Sequence, residues 1–236
     1  MKSTWFSRKQ HYEFSKLLEQ AGGYSMGLWD MYMAFIECSY CSLRQAVNVY
    51  QTGDRLPELE ERYRRTLARA KHPEKLPQAF AIMVEALEQE QYDFLGAVAG
   101  ELELLNNWAG QFFTPPSLCD MMSKMTMYNE KPDPRHRLTI QEPAVGGGAM
   151  VIAVSKELKQ NGFQPWHYWV DATDLDAKMF WVSYIQFTLL GIPAVVRNGN
   201  TLSMEIRESA VTLLGAIYPL RSEKKRPRKR LLPRRA

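Results

Sequence analysis

Residues Arg137 to Gly162 read RLTIQEPAVGGGAMVIAVSKELKQNG, and this stretch decides the fold. It gives a short strand, a glycine turn and a helix. Trp166 to Ile192, WHYWVDATDLDAKMFWVSYIQFTLLGI, repeats the strand and helix with an acidic turn between them. Pro193 to Leu202, PAVVRNGNTL, is a third strand ending in a polar turn. Strands alternating with crossover helices predict a parallel, doubly wound α/β sheet. One further apolar run, AVTLLGAIYPL from Ala210 to Leu220, is the candidate for a fourth strand.

A strand that feeds through glycines into a helix has a physical use. Glycine permits a sharp turn and removes side chains where a ligand touches main chain. The helix that follows offers free N–H groups and the positive end of its dipole. About 30 residues further on, a second strand ends in Asp174 and Asp176, where nucleotide-binding folds place an acid on ribose hydroxyls. A glycine turn alone is equally well a structural feature, and GGGAMV lacks the final glycine of the dinucleotide fingerprint. The combination with the acid and with Asn198-Gly199-Asn200 after the third strand favours a nucleoside ligand.

The first hundred residues carry helix signals and no good strand signal. Trp29, Met33, Ile36, Tyr40, Leu43 and Val47 form a helical stripe. Pro57 opens a charged helix with Leu59, Tyr63 and Leu67 on one face, ending before Pro73. Beyond Pro77 a third pattern runs from Phe80 through Val84, Leu87, Phe94, Val98 and Leu102 to Leu105, with Gly96 and Gly100 able to bend it. The expected organisation is a helical N-terminal domain over 1–107, an α/β domain over 108–220 and a basic tail over 221–236.

The 236 residues are 45% hydrophobic and 24% charged, an ordinary globular balance. No apolar run approaches the roughly 20 residues of a membrane span, and MKSTWFSRKQHYEF lacks a signal-peptide core, so cytoplasmic residence is expected. Three cysteines cannot make a disulfide framework. Cys38 and Cys41 form a C-x-x-C without two further zinc ligands at matching spacing, and both fall beside the helical stripe, so a buried helix face is preferred to a metal. Asp171, Asp174 and Asp176 are read as strand-end loop acids, and no metal site is expected. The formal charge of +4 is unevenly spread. Arg221 to Ala236 holds nine Lys or Arg against one Glu, leaving 21 basic and 25 acidic side chains elsewhere. Such a block is commonly a disordered, solvated tail; its other use is a phosphate-binding arm through Lys224, Lys225, Arg226, Arg228, Lys229 and Arg230.

From Gly110 to Leu202 the chain resembles the cofactor-binding part of adenine-N6 DNA methyltransferases, in particular type I modification subunits and plasmid-borne N-6 DNA methylases. The likeness rests on Gly110-Gln111-Phe112-Phe113-Thr114-Pro115, on Glu142-Pro143-Ala144-Val145-Gly146-Gly147-Gly148, on Asp174, and on Arg197-Asn198-Gly199-Asn200-Thr201-Leu202, in that order. It implies a Rossmann-like class I methyltransferase fold and S-adenosylmethionine as cofactor. By the same resemblance Phe113, Thr114 and Pro115 lie near the methionine part. Glu142, Pro143, Gly146 and Gly148 shape the turn, Asp174 binds the ribose, and Asn200 replaces the Asp that accepts from the adenine amine.

The family's N/D-P-P-Y/F motif, which accepts hydrogen bonds from the amine of a flipped adenine, does not occur in these residues. The one Pro-Pro is Pro115-Pro116, and Ala216 to Leu220 reads AIYPL. The sheet is accordingly expected to be incomplete and the catalytic residues are unassigned. His11, His72, His136 and His167 stand in unrelated contexts, and neither G-x-S-x-G nor H-E-x-x-H occurs. Two functions are expected from this pattern. One is a methyltransferase subunit that acts on DNA with a partner protein supplying the catalytic or DNA-reading parts. The other is a non-catalytic methyltransferase-like module acting on DNA or restriction–modification machinery.

Overall fold

The computed structural model describes residues 8–106 and 114–220. Five helices come first: α1 (Lys9–Gly22), α2 (Leu28–Thr52), α3 (Pro57–Leu67), α4 (Lys75–Gln89) and α5 (Phe94–Asn106). The remainder is α6 (Pro116–Thr126), β1 (Leu138–Glu142), α7 (Ala149–Gln160), β2 (Tyr168–Asp174), α8 (Ala177–Leu189), β3 (Ala194–Asn200), β4 (Glu205–Val211) and α9 (Leu213–Ile217).

The stripe on α2 forms as its period predicts, with Ile36 and Tyr40 fully buried, and Gly53 closes the helix in a left-handed conformation at φ 81°. Pro57 stands in the first turn of α3, where its missing N–H costs nothing. The third pattern divides in two. Glu90 ends α4 in extended backbone, and Asp93 starts α5 by accepting the Gly96 N–H at 2.8 Å.

Strands run in the order β1-β2-β3-β4. β1, β2 and β3 are mutually parallel, with Ile140 opposite Val170 and Val170 opposite Ala194. Right-handed crossovers progressing in one direction put α7 and α8 on the same face. That face is apolar: Val170, Ala172, Ala194, Val196 and Ala210 have no exposed surface. The opposite face carries Thr139, Gln141, Asp171 and Arg197, the last two in a two-pronged ion pair at 2.9 Å on each prong. Two crossover units on one face are the arrangement of a Rossmann-like sheet.

The fourth strand differs from the sequence expectation. It is Glu205–Val211, antiparallel to β3 at the outer edge, and the apolar run beyond it makes α9 instead. Thr212 sets that change by capping: its hydroxyl oxygen accepts the Gly215 N–H at 3.3 Å. The β3–β4 turn is tight enough to hold Met204 at φ 60°.

One contiguous apolar core runs from Phe14, Phe35 and Phe94 through Phe180 and Phe187 to Val196. α2 lies along α8, where the Tyr40 ring meets Phe180, Trp181 and Tyr184 at centroid distances of 5.4, 6.0 and 5.3 Å. The Tyr40 hydroxyl donates to Glu208 on β4, and burial with that bond holds its pKa far above the phenol range. Arg62 on α3 lies over the Trp181 ring at 4.2 Å and is held by Glu37 on α2. Phe180→Ala removes a fully buried ring from this seam. It is expected to lower the unfolding free energy by about 3–5 kcal/mol in urea titration. A loss below about 1 kcal/mol would place the seam outside the core.

Candidate functional site

The C-terminal ends of β1, β2 and β3 meet at the glycine turn. Val145 N–H donates to Thr173 O at 3.0 Å, tying the turn to β2. Gly146 and Gly148 follow at φ 54° and 101°, a region that disfavours every residue with a Cβ. Asp174 anchors the turn: Oδ2 accepts the Gly146 N–H at 2.7 Å, and Oδ1 accepts the Asp176 N–H at 2.9 Å. Each carboxylate oxygen keeps a lone pair beyond these bonds. Asp176 caps α8 by accepting the Lys178 N–H at 2.8 Å.

The three glycines serve different ends. A Cβ on Gly146 would meet nothing within 4 Å, so this glycine borders open space. A Cβ on Gly147 would stand 2.8 Å from Asp93 Oδ2 and 3.3 Å from the Gly96 Cα. Gly147 is therefore required by the close approach of α5. Gly148 faces the Phe187 ring, with a built Cβ at 2.6 Å.

The other predicted positions are distributed around this turn. Glu142 Oε1 accepts the Ala144 N–H at 3.1 Å, and the Pro143 carbonyl accepts from the Thr201 hydroxyl at 2.8 Å, bridging the turns after β1 and β3. Asn200 Oδ1 accepts from Leu202 and Ser203 N–H at 2.9 and 3.3 Å. Its acceptor capacity is taken by its own loop, leaving Nδ2 as the free end. Thr114 and Pro115 are exposed and lead into α6, which lies against α7. Phe113 lies outside the described residues, as do Lys224, Lys225, Arg226, Arg228, Lys229 and Arg230. A groove of about 400 Å³ adjoins the turn on the polar sheet face, lined among others by Glu142, Pro143, Asp171, Arg197, Thr201 and Met204.

Motif spacing points neither to Gln186 nor to Asp93, yet both touch the glycine turn. Gln186 Nε2 donates to Gly147 O and to Asp93 Oδ1, each at 2.7 Å. The available signals were a lone carboxamide in the apolar run MFWVSYIQFTLL and an Asp three residues before Gly96. Burial pushes the Asp93 carboxyl up from its ordinary value, against the bonds from Gln186 and Gly96 and the nearby His11. His11 is itself buried between Glu101 and Tyr92.

Cys38 and Cys41 are buried thiols on α2, raised by burial to about 12 and about 11. Among the described residues no group of three or more His, Cys, Asp or Glu side chains could hold a metal ion. No helix among them is long and apolar enough to cross a membrane.

Parallel strands whose ends carry a glycine turn anchored by an acid from the next strand are the arrangement of a Rossmann-like fold. Residues 99–213 match the family model described as N-6 DNA Methylase. No curated protein matches the sequence. Among solved structures the chain is similar to the type I restriction-modification system methyltransferase subunit from Streptococcus thermophilus, at 17% identity and a TM-score of 0.37. The alignment covers 84% of this chain and 45% of that subunit, so the chain spans under half of the subunit's length.

Asp93→Asn tests the buried carboxyl at the turn. A folded-state pKa raised above the unfolded value leaves stability intact below 3.8 and removes it as pH rises through the raised value. Asn keeps the acceptor for Gly96 and Gln186 without the charge. The variant is therefore expected to gain on wild type between acid and neutral pH in thermal melts, and matching pH profiles would contradict the assignment.

Proposed function

We propose that residues 108–220 are the S-adenosylmethionine-binding half of an adenine-N6 DNA methyltransferase system. The observation that carries this reading is the pairing of Gly146 with Asp174. The turn borders open space at Gly146, and the carboxylate that anchors it keeps lone pairs for further donors. The residues present fit the cofactor: a main-chain surface without side chains, the N-terminus of the 12-residue α7 and carboxylates at Glu142 and Asp174.

S-adenosylmethionine, when bound, supplies a methyl group activated by its sulfonium charge. Asp174 would accept from the ribose hydroxyls, Gly146 would offer bare main chain, and Glu142 would favour the ligand's positive groups. Phe113, Thr114 and Pro115 are assigned to the methionine end by resemblance. Asn200 is assigned to the adenine amine, which it reaches as an acceptor only if its turn with Leu202 and Ser203 opens. No group among these 236 residues is assigned to the amine of the target base, since N/D-P-P-Y/F does not occur among them. The similar Streptococcus thermophilus protein is named as a methyltransferase subunit of a restriction–modification system. The description of the matching family model, N-6 DNA Methylase, supports DNA as a partner. The basic residues Lys224 to Arg230 are assigned to DNA phosphates.

A second reading, a methyltransferase-like interaction module that has lost the cofactor, is favoured by one feature: Asn200 spends its oxygen within its own loop. Calorimetric titration with S-adenosylmethionine separates the two. The wild-type chain is expected to bind, and Asp174→Ala to lose about 1.5–3 kcal/mol through missing charge-assisted bonds. No heat at millimolar ligand, in a chain that melts cooperatively, favours the interaction module.

DNA contact is tested separately. Deleting residues 221–236 is expected to weaken duplex binding and flatten its dependence on salt, because fewer phosphates are neutralised. An unaltered salt slope contradicts the phosphate arm.

A further inference from the structure

Gln186 sits in the last turn of α8 and has no exposed surface, as have Phe180, Tyr184, Ile185 and Phe187 on the same helix. A carboxamide in such surroundings costs free energy unless each of its polar atoms finds a partner. Here they do. The two Nε2 bonds to Gly147 O and Asp93 Oδ1 are joined by a third, in which Oε1 accepts the Leu95 N–H at 3.0 Å. The partners belong to the turn after β1, the residue that caps α5, and the first turn of α5.

These bonds complete a clamp. Asp174 holds the peptide group entering Gly146, and Gln186 holds the one leaving Gly147. The two glycines between them have the widest backbone freedom of any residue. Fixing the peptide groups on both sides removes that freedom before a ligand arrives, which is how a binding loop is preorganised. Gln186 also bonds α5 in the same place, so the helical region and the turn share one side chain.

We propose that Gln186 is a positioning residue for the cofactor turn, locking Gly146-Gly147 in ligand-ready shape and coupling that shape to the seating of α5. This rests on the reading of the turn as an S-adenosylmethionine site. An apolar replacement takes away at once the partner of the Gly147 carbonyl, the partner of the Leu95 N–H and one of the two donors to Asp93 Oδ1. A glutamate replacement faces Asp93 and the Gly147 carbonyl with acceptors alone.

The test uses the full chain with Gln186→Met and Gln186→Glu, read by hydrogen exchange and by titration with S-adenosylmethionine. In Gln186→Met, amide exchange is expected to rise at least tenfold over 145–150 and 94–98, with α1, α3 and α4 at wild-type rates. Affinity is expected to fall at least tenfold. Gln186→Glu is expected to match this at neutral pH and to recover as pH falls, since a protonated carboxyl can again donate one bond.

Wild-type exchange over the turn, a rise spread evenly across the chain, or affinity within twofold of wild type despite a loosened turn would each overturn the proposal. If the wild type itself does not bind, the cofactor reading fails while the exchange arm still decides whether Gln186 holds the turn. A localised rise then supports the clamp, and unchanged rates overturn it.

Discussion

The structure depends on one close approach, the seating of the start of α5 against the glycine turn. Main chain meets main chain there because Gly96 and Gly147 lack side chains: a Cβ on Gly147 would stand 3.3 Å from the Gly96 Cα. Asp93 occupies the remaining space, so near that a Cβ on Gly96 would fall 2.1 Å from its Oδ2. With α5 seated, α2 lies along α8 and its aromatic face closes the core over the sheet. The helical region is thus a wall of the α/β core, joined to it by apolar packing from Phe94 to Phe187. A parallel sheet needs cover on its apolar face, and the helices α2 and α5 extend the cover that α7 and α8 begin.

That seating divides the work of the three glycines. Gly147 and Gly148 turn inward, toward α5 and Phe187, while Gly146 alone borders open space. The triplet that reads as one motif is therefore two packing positions and one position that borders open space. The carboxylate opposite, Asp174, holds the turn through the Gly146 N–H and still has acceptor capacity to spare. Anchoring by this side chain ties the shape of the turn to the acid on the neighbouring strand. The polar sheet face, with its Asp171–Arg197 pair and adjoining groove, lies beside this site.

Much of the architecture was legible in the sequence because it is written in local periods. The α2 stripe, the three parallel strands and the turns between them follow from spacing alone. β4 was not legible: Glu205, Ile206 and Arg207 are all exposed and give no alternation, and the louder apolar run beyond them belongs to α9. The long third helical pattern hid a break at Asp93, whose capping role depends on one side-chain bond. At the site, Gly146 and Asp174 were legible from order and spacing. Gln186 was not, since its partner Asp93 lies 93 positions away and only the fold brings them together. The engagement of Asn200 by its own loop was equally hidden, because an amide on a strand end looks the same whether its oxygen faces a ligand or the next turn.

The central claim is that a nucleoside cofactor occupies the strand ends around Gly146 and Asp174. Its most direct test is amide chemical-shift mapping of the isotopically labelled chain during titration with S-adenosylmethionine. The account predicts shifts concentrated at Gly146, at Asp174 to Asp176 and at Asn200 to Leu202. Smaller changes should pass through Gly147 to Leu95. Shifts confined to another face of the molecule, or none at saturating ligand, would contradict it.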